Sequence, residues 1–308
     1  MGTPEFAVPS LRVLMQSPDV QVKGVVTQPD RPAGRNRKIS APPIKLVAQE
    51  ESIPILQPDS LWDNSEALAW MAALRPDLAV VVAFGQLLPA GIFDFPAHGT
   101  LNVHPSLLPK YRGAAPIIHT LLAGERLTGV SIMRVDSGLD SGPVVARTKV
   151  TVDEDETAGQ LEARLAESGA ALLFEILESY LSGELLPEPQ QDSSAIYAPA
   201  IQKKDGFINW SETAIQVHNH IRAFNPRPGC YAHFRGEILK IWEVRLLTRK
   251  AISGIPVGRL VQMGGSPAVV CGDGRLVELV EVQPANRNRL SGRDFSNGFR
   301  LSVEDLFS

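Results

Sequence analysis

Leu78-Ala79-Val80-Val81-Val82-Ala83-Phe84, closed at once by Gly85, is the stretch that decides the fold. An unbroken apolar run of this length, rich in Val and ended by Gly, reads as a strand covered on both faces, as in a parallel sheet between helices. Working outward, residues 20–27, 53–56 and 101–104 have the same character. Between them, residues 43–51 and 65–74 carry helical patterns, the second stopping before Pro76. Such alternation predicts an α/β domain built on a doubly wound, mostly parallel sheet. Ligands of such sheets bind beyond the carboxyl ends of the strands, where Phe84-Gly85 and residues 102–104 fall. A further strand pair at 129–135 and 144–152 brackets Asp140, and a long helix over 158–183 closes the domain.

Asn102 and His104 are two apart near a strand end, so their side chains share one face, roughly 7 Å apart. Asp140 follows within Gly138-Leu139-Asp140-Ser141-Gly142. An amide donor, an imidazole and a carboxylate suit acyl transfer to an amine. The amine is its own nucleophile, and the protein need only stabilise an oxyanion and move a proton. Taken singly, each residue has an ordinary explanation: a strand-end amide, a buried histidine, an Asx turn between glycines.

Taken together they resemble the signature of the 10-formyltetrahydrofolate-dependent formyltransferases, in particular those acting on methionyl-tRNA. The pattern Asn-x-His…Asp matches at Asn102, His104 and Asp140, and Ser106-Leu107-Leu108-Pro109 with Tyr111-Arg112-Gly113-Ala114-Ala115-Pro116 matches the folate-contacting loop. The likeness runs over nearly the whole chain, through Gly2-Thr3-Pro4-Glu5-Phe6-Ala7, Thr27-Gln28-Pro29-Asp30-Arg31-Pro32-Ala33-Gly34-Arg35 and Arg222-Ala223-Phe224-Asn225-Pro226. It implies a Rossmann-like formyltransferase domain followed by a small oligonucleotide-binding (OB-like) β-barrel. It also implies 10-formyltetrahydrofolate as co-substrate and initiator methionyl-tRNA as partner. Asn102, His104 and Asp140 would be catalytic, and Ser106, Leu107, Leu108, Pro109, Phe84, Gly85 and Leu87 would contact the folate.

Composition excludes other classes. The 308 residues are 44% hydrophobic and 21% charged, an ordinary globular balance with room for two cores. Two cysteines, Cys230 and Cys271, cannot make a disulfide framework, so a reducing, cytoplasmic setting is expected. No apolar run approaches the about 20 residues that cross a bilayer, and no leader pattern opens the chain. No metal site is expected, since His218 and His220 are two apart on a helical pattern and do not face one another. Gly264-Gly265-Ser266 and Gly272-Asp273-Gly274 read as turns without phosphate-loop spacing. A monomer is expected.

Charge is uneven. From Lys203 onward there are 15 Lys+Arg against 10 Asp+Glu, leaving 15 against 24 in residues 1–202. A basic module on an acidic body suits a polyanionic partner. Residues 28–43 form a second basic feature, with Arg31, Arg35, Arg37 and Lys38 among Pro and Gly, longer than an ordinary connection. The resemblance implies that this insertion meets the tRNA acceptor stem through Arg35, with Arg37, Lys38, Lys203 and Lys204 as further tRNA contacts.

Residues 1–183 are expected to be the catalytic domain and 184–204, rich in Pro, Gln and Ser, a linker. Residues 205–308 then hold a helix over 211–224 and short strands at 231–234, 239–244, 258–262, 268–271 and 276–282. Two departures from the family stand out. Its members carry an apolar strand before Gly-Thr-Pro, and this chain opens at Met1-Gly2, so a gap is expected at the sheet centre, with unpaired backbone as its cost. Arg227 also stands where Trp is common. A formyltransferase acting on a small amine, or a catalytically weak RNA-binding protein, are the competing readings. The basic loop disfavours the first, and a stable, active chain would exclude the second.

Overall fold

The computed structural model describes residues 1–33, 38–263, 265–302 and 304–307. Contacts divide the chain into two units, one of residues 1–116, 127–151 and 162–198, the other of 117–126, 152–161 and 199–308.

Residues 1–198 form, in chain order, α1 (Val8–Gln16), β1 (Val25–Val26), β2 (Arg31–Ala33), β3 (Lys38–Ser40), α2 (Pro43–Glu50), β4 (Ile55–Leu56), α3 (Ser65–Leu74), β5 (Ala79–Val81), α4 (Ala90–Phe93), β6 (Thr100–His104), α5 (Pro116–Leu122), β7 (Leu127–Arg134), β8 (Val144–Thr151) and α6 (Ala158–Leu181), with the expected alternation of strands and helices; α5 falls in the second unit. Local chemistry sets the helix ends. Asn64 caps α3 by accepting from the Ala67 N–H at 2.9 Å, and Arg75 ends it in a left-handed conformation ahead of Pro76. Strand pairing is parallel for β1 with β4 and for β5 with β6, and antiparallel for β6 with β7 and for β7 with β8. The sheet is therefore mixed, with β7 the strand that runs against the others. Antiparallel β7 runs back along β6, with Arg134 opposite Leu101, and the β7–β8 turn that follows places Asp140 beside Asn102 and His104.

The expected gap at the sheet centre is partly filled. Gly2 N donates to Val26 O at 3.1 Å on one side, and Val82 N donates to Met1 O at 2.9 Å on the other. Met1-Gly2 thus stands in parallel between β1 and β5, with Gly2 bridged to Val82. Next to it a cavity of about 430 Å³ opens, lined by Leu11, Leu14, Val22, Trp70, Leu74 and Leu177 among others. Residues 20–27 were expected to be one strand, yet only Val25–Val26 is. The preceding residues lie where the ladder has no neighbour, and a strand without a partner loses its hydrogen bonds. The Met1 amine is buried, donating to Val80 O at 2.6 Å, and desolvation lowers its pKa to about 5.

Over β6, the glycine Gly169 lets α6 pass close: a Cβ there would stand 2.7 Å from Val103 Cγ1. The Tyr180 hydroxyl donates to His98 O at 2.7 Å and fixes the far end of the helix. The strand that carries Asn102 and His104 is therefore clamped from behind.

The second unit holds α7 (Ala214–Ala223), β9 (Cys230–Phe234), β10 (Glu237–Lys250), β11 (Leu260–Met263), β12 (Ser266–Val270), β13 (Arg275–Pro284), β14 (Leu290–Ser291) and α8 (Gly292–Phe299). Thr213 and Gln216 form a reciprocal capping box at the start of α7. The sheet order is β11-β12-β13-β10-β9, with β14 on β13, antiparallel throughout. The five expected strands are present and form an antiparallel sheet whose ladder does not close among the described residues. Its edges, β9 and β11, are not paired with each other among the described residues. They meet the tail instead, through single bridges from Phe234 to Phe307 and from Arg259 to Leu306. Arg235 holds that tail by a two-pronged pair with Asp305, both contacts 2.8 Å, and Trp210 stacks on Phe307 at 5.2 Å.

Cys230 and Cys271 are buried in this unit. Burial, with Asp273 adding to it, pushes the Cys271 thiol up to about 12, and burial raises that of Cys230 further.

Candidate active site

The three side chains singled out above converge. Asn102 Nδ2 donates to Asp140 Oδ1 at 3.3 Å, and His104 Nδ1 lies 3.6 Å from Asp140 Oδ2. Strand alternation supplies the first pair, and the antiparallel return of β7 into its turn supplies the third member. Asp140 sits in the left-handed region at φ 48°, which Asp tolerates better than most residues. Its Oδ2 accepts the Gly113 N–H at 2.8 Å. Gly113 itself has φ 120°, and a Cβ there would stand 2.7 Å from Ala198 O, so only glycine offers this N–H.

His104 is buried, and its Nε2 lies 2.9 Å from Tyr111 O. A carbonyl can only accept, so Nε2 carries a proton and Nδ1 is the ring nitrogen that faces Asp140. The 3.6 Å separation exceeds a direct hydrogen bond and leaves Nδ1 for a reacting group. The site thus offers one neutral donor, Asn102, and an imidazole–carboxylate pair that can take up or release one proton.

The 106–113 loop is braced from within. Ser106 Oγ donates to Lys110 O at 2.6 Å, Leu108 N donates to Ser131 Oγ at 3.0 Å, and Arg147 Nε donates to Leu108 O at 3.0 Å. Ser106 and Leu108 are buried, whereas Leu107 and Pro109 are partly exposed. Phe84 is buried, its carbonyl accepting from Thr3 Oγ1 at 2.9 Å and Gln28 Nε2 at 3.3 Å. Beside it Gly85 and Leu87 are open to solvent, Leu87 at 76%. Val81 pairs with Asn102, so this apolar shelf follows the strand next to the catalytic candidates. The large cavity is elsewhere, and none of the three side chains lines it.

Among the proposed tRNA contacts, Arg35 and Arg37 lie outside the described residues. Lys38 is exposed on β3, which pairs with β2, so part of the 28–43 loop is a hairpin. Lys203 and Lys204 are exposed in the second unit, on a 3-10 turn capped by Gln202 and Asp205. Sequence reasoning missed the Tyr111 carbonyl and the Gly113 N–H as working groups, although both fall in a quoted motif. It also missed Gln190, placed in the supposed linker. No metal-binding cluster of His, Cys, Asp or Glu occurs among the described residues.

The mixed sheet brings an amide, an imidazole and a carboxylate together, a set suited to acyl transfer, and comparisons name the class. Residues 2–177 match the family described as Formyl transferase, and residues 200–300 match Formyl transferase, C-terminal domain. The methionyl-tRNA formyltransferase of Geobacter sulfurreducens is 43% identical over 98% of this chain and 93% of that protein. That of Syntrophus aciditrophicus is 43% identical over 98% and 96%, and that of Caldanaerobacter subterraneus 40% over 98% and 96%. A solved sugar 3N-formyl transferase, crystallised with dTDP and 5-N-formyl-THF, has TM-score 0.68 at 19% identity, over 93% of this chain and 97% of its own, a likeness of fold. This chain belongs to the methionyl-tRNA formyltransferase family.

Proposed function

We infer that the chain transfers the formyl group of 10-formyltetrahydrofolate to the α-amino group of methionine on initiator tRNA. The convergence of Asn102, His104 and Asp140, in a chain of this family, is the observation that carries the reading. The folate fits the shelf: Gly85 and Leu87 offer an exposed apolar surface for a flat ring beside the site, with Leu107 and Pro109 near its edge. When bound it supplies an activated formyl carbon.

The side chains then act in order. The neutral amine attacks the formyl carbon, forming the new C–N bond and turning the carbonyl into an oxyanion. Asn102 Nδ2 has a second N–H beyond the one given to Asp140, and it stabilises that charge. The pair of His104 Nδ1 and Asp140 takes the proton from the attacking nitrogen and returns it to the departing folate nitrogen, whose bond to the formyl carbon breaks. Formylmethionyl-tRNA and tetrahydrofolate leave.

The basic elements serve the tRNA. Lys38 on the β2–β3 hairpin, with Arg35 and Arg37 of the same basic stretch, and Lys203 and Lys204 ahead of the antiparallel sheet, contact it. The second unit acts as an oligonucleotide-binding platform in the manner of an OB fold, with residues 1–183 as the catalytic body. The protein works as a monomer in the cytoplasm, where charged initiator tRNA is formed. No helix among the described residues is long and apolar enough to cross a membrane. The decisive experiment incubates the protein with 10-formyltetrahydrofolate and either initiator or elongator methionyl-tRNA and counts formylmethionine. Equal transfer to both, or none to initiator, removes the reading.

A further inference from the structure

We propose that Gln190 is a positioning residue for Asp140, so that residues 188–198 belong to the catalytic apparatus and not to a passive connection. The inference rests on the role given to Asp140 above. Gln190 Nε2 donates to two carbonyls of the turn that carries Asp140, to Asp140 O at 2.9 Å and Gly142 O at 2.7 Å. Its Oε1 accepts from Arg112 Nε at 3.1 Å and from the guanidinium nitrogen NH2 at 2.9 Å. All four hydrogen-bonding positions of the amide are used, and two carbonyls on one side with a guanidinium on the other leave a single orientation.

Arg112 is buried and is held in turn. Its guanidinium reaches Asp192 at 2.8 Å, and its backbone brackets the same segment, Arg112 N donating to Ile196 O at 2.8 Å and Ala198 N donating to Arg112 O at 2.7 Å. The next residue, Gly113, supplies the N–H that accompanies the Asp140 carboxylate. Asp140 is therefore gripped at both ends by one assembly, its main chain through Gln190 and its carboxylate through Gly113. A side chain in the left-handed region needs surroundings that over-determine it, and this assembly provides them. A small displacement of a reacting group is costly, since misplacement by about 1 Å can lower turnover 10²-fold.

Gln190→Glu separates the two halves of the clamp. It keeps a partner for Arg112 but sets carboxylate oxygens against the carbonyls of Asp140 and Gly142. Gln190→Leu removes both halves. Formyl transfer to initiator tRNA is measured for these two variants, the parent and Asp140→Asn across pH, with KM for each substrate and a thermal melt. Both Gln190 variants are expected to lose about tenfold or more in kcat with KM within about twofold. Gln190→Glu should recover relative to the parent as pH falls and its new carboxyl gains a donor proton, whereas Gln190→Leu should not. Parent-like kcat in both variants, or losses confined to KM, would overturn the proposal while an inactive Asp140→Asn left the catalytic reading standing. An active Asp140→Asn would instead remove the catalytic reading itself. Should Gln190→Leu not fold, the pH recovery of Gln190→Glu decides alone, and its absence counts against the clamp.

Discussion

In the proposed mechanism Asn102 and Asp140 act on charge that exists only during transfer, so removing them should leave substrate binding nearly intact. Asn102→Ala is expected to lower kcat on the order of 10² to 10³, the usual cost of one oxyanion donor. Asp140→Ala should do at least as much, because His104 Nδ1 loses the carboxylate 3.6 Å away. Folate affinity, read by fluorescence titration, should stay within a few-fold in both, and half the parent rate in either variant would contradict its role. These residues were legible in the sequence because spacing and motif place them: two positions apart on one strand, then an Asp in a Gly-rich turn. Gln190 was not, for a polar run among prolines looks the same whether it is solvated or folded back on a turn. Only the tertiary contacts with Arg112 and Gly142 separate the two cases.

The strands tell a similar story one level up. The end of α3 followed from Pro76, which acts locally. Strand lengths did not, because a strand exists only where a neighbour accepts its hydrogen bonds. Residues 20–27, Val-Gln-Val-Lys-Gly-Val-Val-Thr, are rich in β-branched residues, yet only Val25–Val26 is paired, next to the cavity beside Met1. That cavity carries a prediction about stability. The Met1 amine has a folded pKa of about 5 against 8.0 unperturbed. Below pH 8 the unfolded chain gains a proton that the folded one refuses. Stability should therefore be full above pH 8 and fall as pH drops towards 5, by roughly 1.4 kcal/mol per unit. Placing five or six apolar residues ahead of Met1 would fill the cavity and move the amine into water. Thermal melts should then rise by roughly 5 °C or more, and the pH slope between 8 and 5 should flatten. An unchanged melt would show that the cavity does not accept a strand. The docking of the tail on the second unit was likewise beyond sequence reasoning, since it rests on an Arg235–Asp305 pair drawn from positions far apart in the chain.

For the molecule as a whole, the uneven charge matters most. With 15 Lys+Arg against 10 Asp+Glu beyond residue 202, and a basic hairpin in an otherwise acidic body, tRNA binding should weaken steeply with salt. Folate binding, resting on an apolar shelf, should hardly respond. Arg35→Ala is expected to raise the KM for charged tRNA and leave that for folate unchanged. If Arg35 meets phosphate alone, the salt slope becomes shallower by about one unit or less. If it also meets base edges at the acceptor end, discrimination against elongator tRNA should shrink too, since its planar fork suits such contacts. Unchanged kinetics on initiator tRNA at low and physiological salt would mark the loop as merely solvated.

The two thiols have a practical corollary. Cys230 and Cys271 are both buried and their thiolates strongly disfavoured, so neither should react with maleimides while the fold persists. The protein is already a silent background for site-directed labelling. A fluorophore attached through Lys38→Cys would report arrival of the acceptor stem in real time, with no prior cysteine removal.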